Sequence, residues 1–367
     1  MIKKIFAYMA VLFTAFAALS CSGTLDDGSD DAVPEGVLRI FADKTSVTAD
    51  GNDAVTFKVM FGSEDVSNQK TLQIIRIYDG EEKYMAYGVN KFSTVTPGTY
   101  RFKAKYYYGG NHVTDNEVQI EAEPYFSGAE KTYKKRFFGT LFTSTGCISC
   151  PSAAAALKLL QERNPGLISL VAFHQDFNGN PDPMTIPETE DMKSALGGFQ
   201  GLPTFFWNMY KDSKTGGPDY TETFVEEMNR NEVYSGVSVS TRLEGSELHI
   251  DIGVTSNMPK AFRYLVVLVE DGITGYEQTG DKDYVHNNVA RAVLTSAHGD
   301  KLNDNLPLSV GVEAKATKTV TIEKGWNVDD MRVIVAAMSS DDDGYTWTVN
   351  NVSECKAGES ADYSYEE

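Results

Sequence analysis

Histidine and cysteine are scarce in this chain, five and four residues respectively out of 367. The cysteines form one close pair and two singletons. No second pair and no His-x-x-x-His stand at ligand spacing, which excludes a zinc framework. Basic charge is also short: 33 Lys and Arg stand against 52 Asp and Glu, a net charge of −19. A chain this acidic is repelled by phosphate backbones, so nucleic acid is excluded as a partner. No phosphate loop, Ser-His-Asp arrangement or paired-carboxylate signature occurs, and no motif calls for a cofactor. Nor does Ile5 to Leu19, an almost wholly apolar stretch, reach the roughly 20 residues that span a bilayer comfortably.

What is present begins with an export signal. Lys3 and Lys4 form a positive n-region, Ile5 to Leu19 an apolar one, and Ala18-Leu19-Ser20 leads into Cys21. Small residues before a cysteine here resemble a bacterial lipoprotein cleavage site, which makes Cys21 the candidate lipid-attachment residue. The alternative is an ordinary secretory signal cut nearby. Each buried acyl methylene would contribute about 0.8 kcal/mol to anchoring. Asp26, Asp27, Asp30 and Asp31 follow among Gly and Ser, forming a solvated tether. That tract is similar to the acidic stretch after the lipid cysteine in surface-displayed lipoproteins of Bacteroidetes-type bacteria. The similarity implies the outer membrane, lipid-anchored, and leaves the face open between the periplasm and the exterior. The signal occupies residues 1–20 and the tether 21–36.

Residues 37–122 alternate with a period of two. Val55, Phe57, Val59 and Phe61 are separated by Thr56, Lys58 and Met60; Tyr100, Phe102, Ala104 and Tyr106 by Arg101, Lys103 and Lys105. Turn signals such as Asp50-Gly51 and Pro97-Gly98 recur between them, predicting a β-sandwich. The run from Pro97 to Ala104 resembles the late strand of bacterial immunoglobulin-like modules, which implies a spacer or a ligand-binding module. The period changes after a linker at 123–128. Across 131–233 the pattern predicts strands at Arg136 to Phe142, Leu167 to Phe173 and Thr204 to Asn208. Helices are predicted from about Cys150 to Arg163, Glu188 to Leu196 and Tyr220 to Asn231. That order is thioredoxin-like. From 237 to 357 alternation returns and predicts a C-terminal β-sandwich with a long irregular stretch, Asp271 to Leu306. The expected fold class is multidomain α+β: an N-terminal immunoglobulin-like β-sandwich, a central thioredoxin-like α/β domain and the C-terminal sandwich.

Cys147-Ile148-Ser149-Cys150 carries the candidate chemistry. A thiolate at a helix N-terminus is stabilised by unpaired backbone N–H groups and by the macrodipole. Cys147 would be the nucleophile and Cys150 the resolving thiol. Pro151 suits the first turn, where its missing N–H leaves nothing unpaired. Pro203, in Gly201-Leu202-Pro203-Thr204, is expected to be cis and to face the sulfurs, with Leu202 as its site neighbour. Several residues depart from active thioredoxins: Gly146 stands where tryptophan is usual, Ile148 and Ser149 replace Gly-Pro, and no lysine follows Cys150. Redox, structural and metal-binding roles therefore stay open. In an oxidising envelope the two can pair, leaving Cys355 without an obvious partner. His174 ends an apolar strand and either stabilises the thiolate or hydrogen-bonds the following loop. His286 with Arg291 offers an anion site or a structural loop, His249 points to solvent, and Asp341-Asp342-Asp343-Gly344 reads as a tight acidic turn without EF-hand spacing.

Taken together, these features resemble the Omp28-related outer-membrane lipoproteins of Bacteroidetes. The resemblance includes the run Tyr284-Val285-His286-Asn287-Asn288-Val289-Ala290-Arg291, and its most specific parts are Cys147 to Pro151 and His286 to Arg291. The resemblance implies location and architecture, with exported proteins or an outer-membrane assembly as partners. Two functions follow: a non-catalytic binding or scaffold protein, or an envelope thiol–disulfide oxidoreductase using Cys147 and Cys150.

Overall fold

The computed structural model describes residues 36–78, 80–94, 96–125, 131–215, 220–230, 232–340 and 346–366. The expected export signal, Cys21, the expected tether up to residue 35, the expected acidic turn Asp341 to Gly344 and part of the expected linker at 123–128 lie outside the described residues. Contacts divide the chain into two units. Of the described residues, one unit contains those in 36–45, 56–90 and 99–120; the other contains those in 46–55, 91–98 and from 121 on.

Strands β1 (Leu38–Ala42), β2 (Ser46–Thr48), β3 (Val55–Phe61), β4 (Glu64–Asp65) and β5 (Leu72–Tyr78) open the N-terminal β region. They are followed by β6 (Glu81–Tyr84), β7 (Lys91–Phe92), β8 (Gly98–Tyr107), β9 (Asn111–Val113) and β10 (Val118–Glu123). Within the first unit one sheet runs β1-β3-β4 and the other β10-β8-β5-β6, with β9 on β8. Their apolar faces meet through Phe57 and Phe102, whose ring centroids are 4.6 Å apart. β8 shows why: Tyr100, Phe102, Ala104 and Tyr106 are buried, whereas Arg101 and Tyr107 are exposed. Period-two alternation puts successive side chains on opposite faces, so this strand has one covered face.

The larger unit starts with β11 (Phe137–Thr143), α1 (Cys150–Arg163), β12 (Ile168–His174), α2 (Thr189–Ala195), β13 (Thr204–Trp207) and α3 (Tyr220–Arg230). It continues with β14 (Ser235–Glu244), β15 (Glu247–Ser256), β16 (Arg263–Glu270), β17 (Val289–Val293) and β18 (Asp300–Lys301). β19 (Ala314–Thr321), β20 (Met331–Ser339), β21 (Thr348–Lys356) and β22 (Ser360–Ala361) complete it.

The expectation of a central thioredoxin-like α/β domain beside a separate C-terminal sandwich is overturned here. The chain is mostly β, 45% strand against 13% helix, with three α-helices among the described residues. More decisively, the central strands do not close a sheet of their own. They belong to an eight-stranded sheet of order β13-β11-β12-β17-β16-β20-β21, with β18 on β16. The join is parallel, at Ala172 and Val289, and the Ala172 amide donates to the Asn288 carbonyl at 2.6 Å. The physical reason is that β12 keeps a free edge after pairing β11, and every backbone amide buried there needs a partner. β17, over a hundred residues later, supplies it.

Coverage of this long sheet explains the rest. One face carries a continuous core, including Phe138, Phe142 and Phe173 together with Val267 and Ile334, closed partly by Met192 and Ala195 of α2. The other face is covered differently at its two ends. Leu157 and Leu160 of α1 and Phe224 of α3 pack on Phe137, Leu141 and Phe205 at one end. At the other, the sheet β19-β15-β14-β22 lays Val239, Ile250 and Ile252 against Val266, Leu268 and Val333. β16 serves both cores by alternation, with Val266 and Leu268 on one face and Leu265 and Val267 on the other. Among the described residues no helix is long and apolar enough to cross a membrane.

Candidate functional site

β11 ends at Thr143 and the chain turns at once. The Ser144 hydroxyl accepts the Gly146 amide at 3.2 Å and the Ser144 carbonyl accepts the Cys147 amide at 3.1 Å. α1 then begins at Cys150, with Pro151 in its first turn. Cys147 and Cys150 form a disulfide with Cα atoms 5.4 Å apart, an ordinary span for such a bridge. Both cysteines are buried, at 2% and 1% exposure, whereas Ile148 and Ser149 between them are exposed, Ile148 at 76%.

Two distant side chains hold this loop down. Gln278 Nε2 donates to the Ser144 carbonyl at 3.1 Å and to the Cys147 carbonyl at 2.8 Å. Beside it, the Thr279 amide donates to the Thr145 carbonyl at 2.8 Å. Asp182 works from the other side. Its Oδ2 accepts the Thr145 amide at 2.7 Å and His174 Nδ1–H at 3.0 Å, while Oδ1 accepts the Met184 amide at 2.9 Å. Burial alone would push this carboxyl up. The hydrogen bond and attraction of His174 and the two amides outweigh it and leave Asp182 at about 2.

The His174 ring meets His286 edge-on, with centroids 5.3 Å apart, and Tyr284 approaches His286 at 4.8 Å. His286 Nε2–H donates to the Tyr276 carbonyl at 3.1 Å. Burial, helped by repulsion from His174, lowers the His286 pKa against the opposing pull of that carbonyl and of Asp182. Burial also raises the Tyr284 phenol. These rings border a cavity of about 280 Å³ between α1, the ends of β11 and β12, and residues 284–288.

The structure thus brings Cys147, Cys150 and Pro151 together at the start of α1, and His174 with His286 at the cavity. The Leu202–Pro203 bond is cis, and Leu202 packs against the core containing Phe142, Phe199 and Phe206. Arg291 does not join His286; it pairs with Glu270 Oε2 at 2.7 Å. His249 is partly covered beside Glu244 and Glu247. Cys355 is a free, buried thiol, pushed up to about 11 chiefly by burial. Among the described residues no three His, Cys, Asp or Glu side chains converge as metal ligands. Sequence reasoning missed Asp182 and Gln278. Asp182 had a weak local signal, an acid between Pro181 and Pro183 eight residues after His174; Gln278 had none.

Residues 218–361 match the family of outer membrane protein Omp28. This span includes Gln278, Tyr284 and His286 but not the disulfide. In fold, HBP35 of Porphyromonas gingivalis is similar, with a TM-score of 0.51 at 16% identity over 62% of this chain and 77% of that one. A protein of Agrobacterium tumefaciens aligns at a TM-score of 0.41 and 18% identity over 61% and 96% of the two chains. A DUF3823 family protein of Bacteroides ovatus reaches 0.20 at 9% identity over 87% and 97%. At those scores neither bears on the fold. No curated protein matches the chain.

Proposed function

We propose that this chain is a non-catalytic outer-membrane lipoprotein, anchored through Cys21, whose Cys147–Cys150 bridge is a structural staple. The observation that carries the reading is the burial of both cysteines under a loop clamped by Gln278, a residue inside the Omp28-matching span. Exchange requires a sulfur that an incoming thiolate can reach, and residues exposed by 2% and 1% offer little to such an attack. The anchor rests on the signal-like start of the chain, and its partners on this reading are the membrane and an envelope assembly. The matched region points to the same compartment.

The test is thiol exchange by the purified mature chain. A dithiothreitol titration is expected to give a potential below about −300 mV. Reduction of a disulfide peptide should not exceed that of the Cys147→Ser/Cys150→Ser double variant. A potential above about −250 mV, with turnover that requires the pair, would assign an oxidoreductase instead. Cys21→Ser should move the chain from the membrane pellet to the soluble envelope fraction; continued sedimentation with membranes would overturn the anchor.

A further inference from the structure

The cavity beside α1 adjoins the staple through Gln278, which lines it, and its construction points to a ligand. Pro151, Ala154, Ala155 and Lys158 line it at helical spacings of three and four, so they share one stripe of α1. The neighbouring stripe, Ala153, Leu157 and Leu160, is the one turned mainly into the core. Alanines at 154 and 155 leave open the volume that larger side chains would fill. Leu141 and Leu170 supply an apolar floor from β11 and β12. At about 280 Å³ the space suits a small molecule rather than a large cofactor.

Polar groups reach it from three elements. His174 lines the cavity with Nδ1 held by Asp182, and its Nε2 has no hydrogen-bond partner among the described residues. The Tyr284 hydroxyl, also on the lining, likewise has none among the described residues. Lys158 stands exposed at the rim without an ion pair among the described residues. Among the described residues Lys158 is the one Lys or Arg on the lining, and no Asp or Glu lines the cavity, so its rim offers a positive charge to an anion.

We propose that this cavity binds a small amphipathic carboxylate. Its apolar body lies against Leu141, Ala154 and Leu170, its carboxylate pairs with Lys158, and a polar substituent meets His174 Nε2 and the Tyr284 hydroxyl. The proposal holds whether or not the disulfide exchanges. The test is isothermal titration of the mature chain with 3-(4-hydroxyphenyl)propionate and with its neutral counterpart, 3-(4-hydroxyphenyl)propanol. The acid should bind saturably at one site. Lys158→Ala, an exposed substitution, should weaken the acid about tenfold, the loss of one charge-assisted contact, and leave the alcohol unchanged. Ala154→Phe should fill the cavity and abolish binding of both while a normal thermal transition is retained. No saturable binding by either probe, binding that survives Ala154→Phe, or equal weakening of acid and alcohol by Lys158→Ala would each overturn the proposal.

Discussion

β8 and β11 are both rich in aromatic residues, yet they bury their side chains in different ways. β8 hides every second residue and exposes Arg101 and Tyr107; β11 hides all seven. The first has one covered face, the second two, with α1 and α3 on one side and the Phe142 core on the other. An apolar pattern therefore records how many faces are covered. It carries no record of what covers them, or of which strand occupies the next edge.

Neighbouring alanine substitutions would break this contrast most directly. In β11, Phe142→Ala should cost about 3–5 kcal/mol and the adjacent Leu141→Ala about 2–4, because each empties a different core. In β8, Phe102→Ala should cost a comparable 3–5 kcal/mol but the adjacent Arg101→Ala less than about 1, since its pair with Glu117 is exposed. Denaturant unfolding monitored separately in the two regions would decide it. A tolerant position in β11 would mean that one of its faces is open.

A smaller effect sharpens the same comparison with two aspartates. Asp182→Asn should cost about 2–3 kcal/mol, since a fully buried carboxylate loses the charge that His174 and two amides satisfy. Asp115→Asn, at an exposed pair with Arg39, should cost less than about 1 kcal/mol. Acid gives an independent reading. Asp182 has a folded pKa below its ordinary 3.8, so its contribution is full above that value and is lost as pH falls towards about 2. The stability difference between wild type and Asp182→Asn should therefore shrink by on the order of 2 kcal/mol over this interval. A difference that stays constant over this interval would contradict the assigned network. Smallest of the three, Gln278→Ala should cost about 1–2 kcal/mol and raise hydrogen exchange at Thr145 to Cys150, leaving β8 unchanged. Unchanged exchange in the cysteine loop would show that Gln278 is not its clamp.

Much of the local structure was legible. The predicted helix from about Cys150 to Arg163 coincides with α1, and the predicted strands around Phe137, Leu170 and Phe205 lie within one residue of β11, β12 and β13 at each end. These elements are specified by nearest neighbours: alanine and leucine at helical spacing, Pro165 and Gly166 as stops, an apolar run bounded by polar loops. The self-contained central domain failed because Ala172 pairs with Val289, a contact that no residue near either position announces. The site divides in the same way. Cys147, Cys150, His174 and His286 were visible as reactive types, whereas Asp182 and Gln278 became functional only through the atoms they reach.

Composition and pattern by themselves determined the acidic character of the chain, the alternation of its β strands and the helix that begins at the paired cysteines. Tertiary structure alone decided that the sheet runs on from β12 into β17, that both sulfurs are shut away, and that a cavity opens beside α1. The reason is range: propensity and periodicity act over a few residues, while edge pairing and burial are settled by whichever distant segment satisfies the exposed amides and apolar faces.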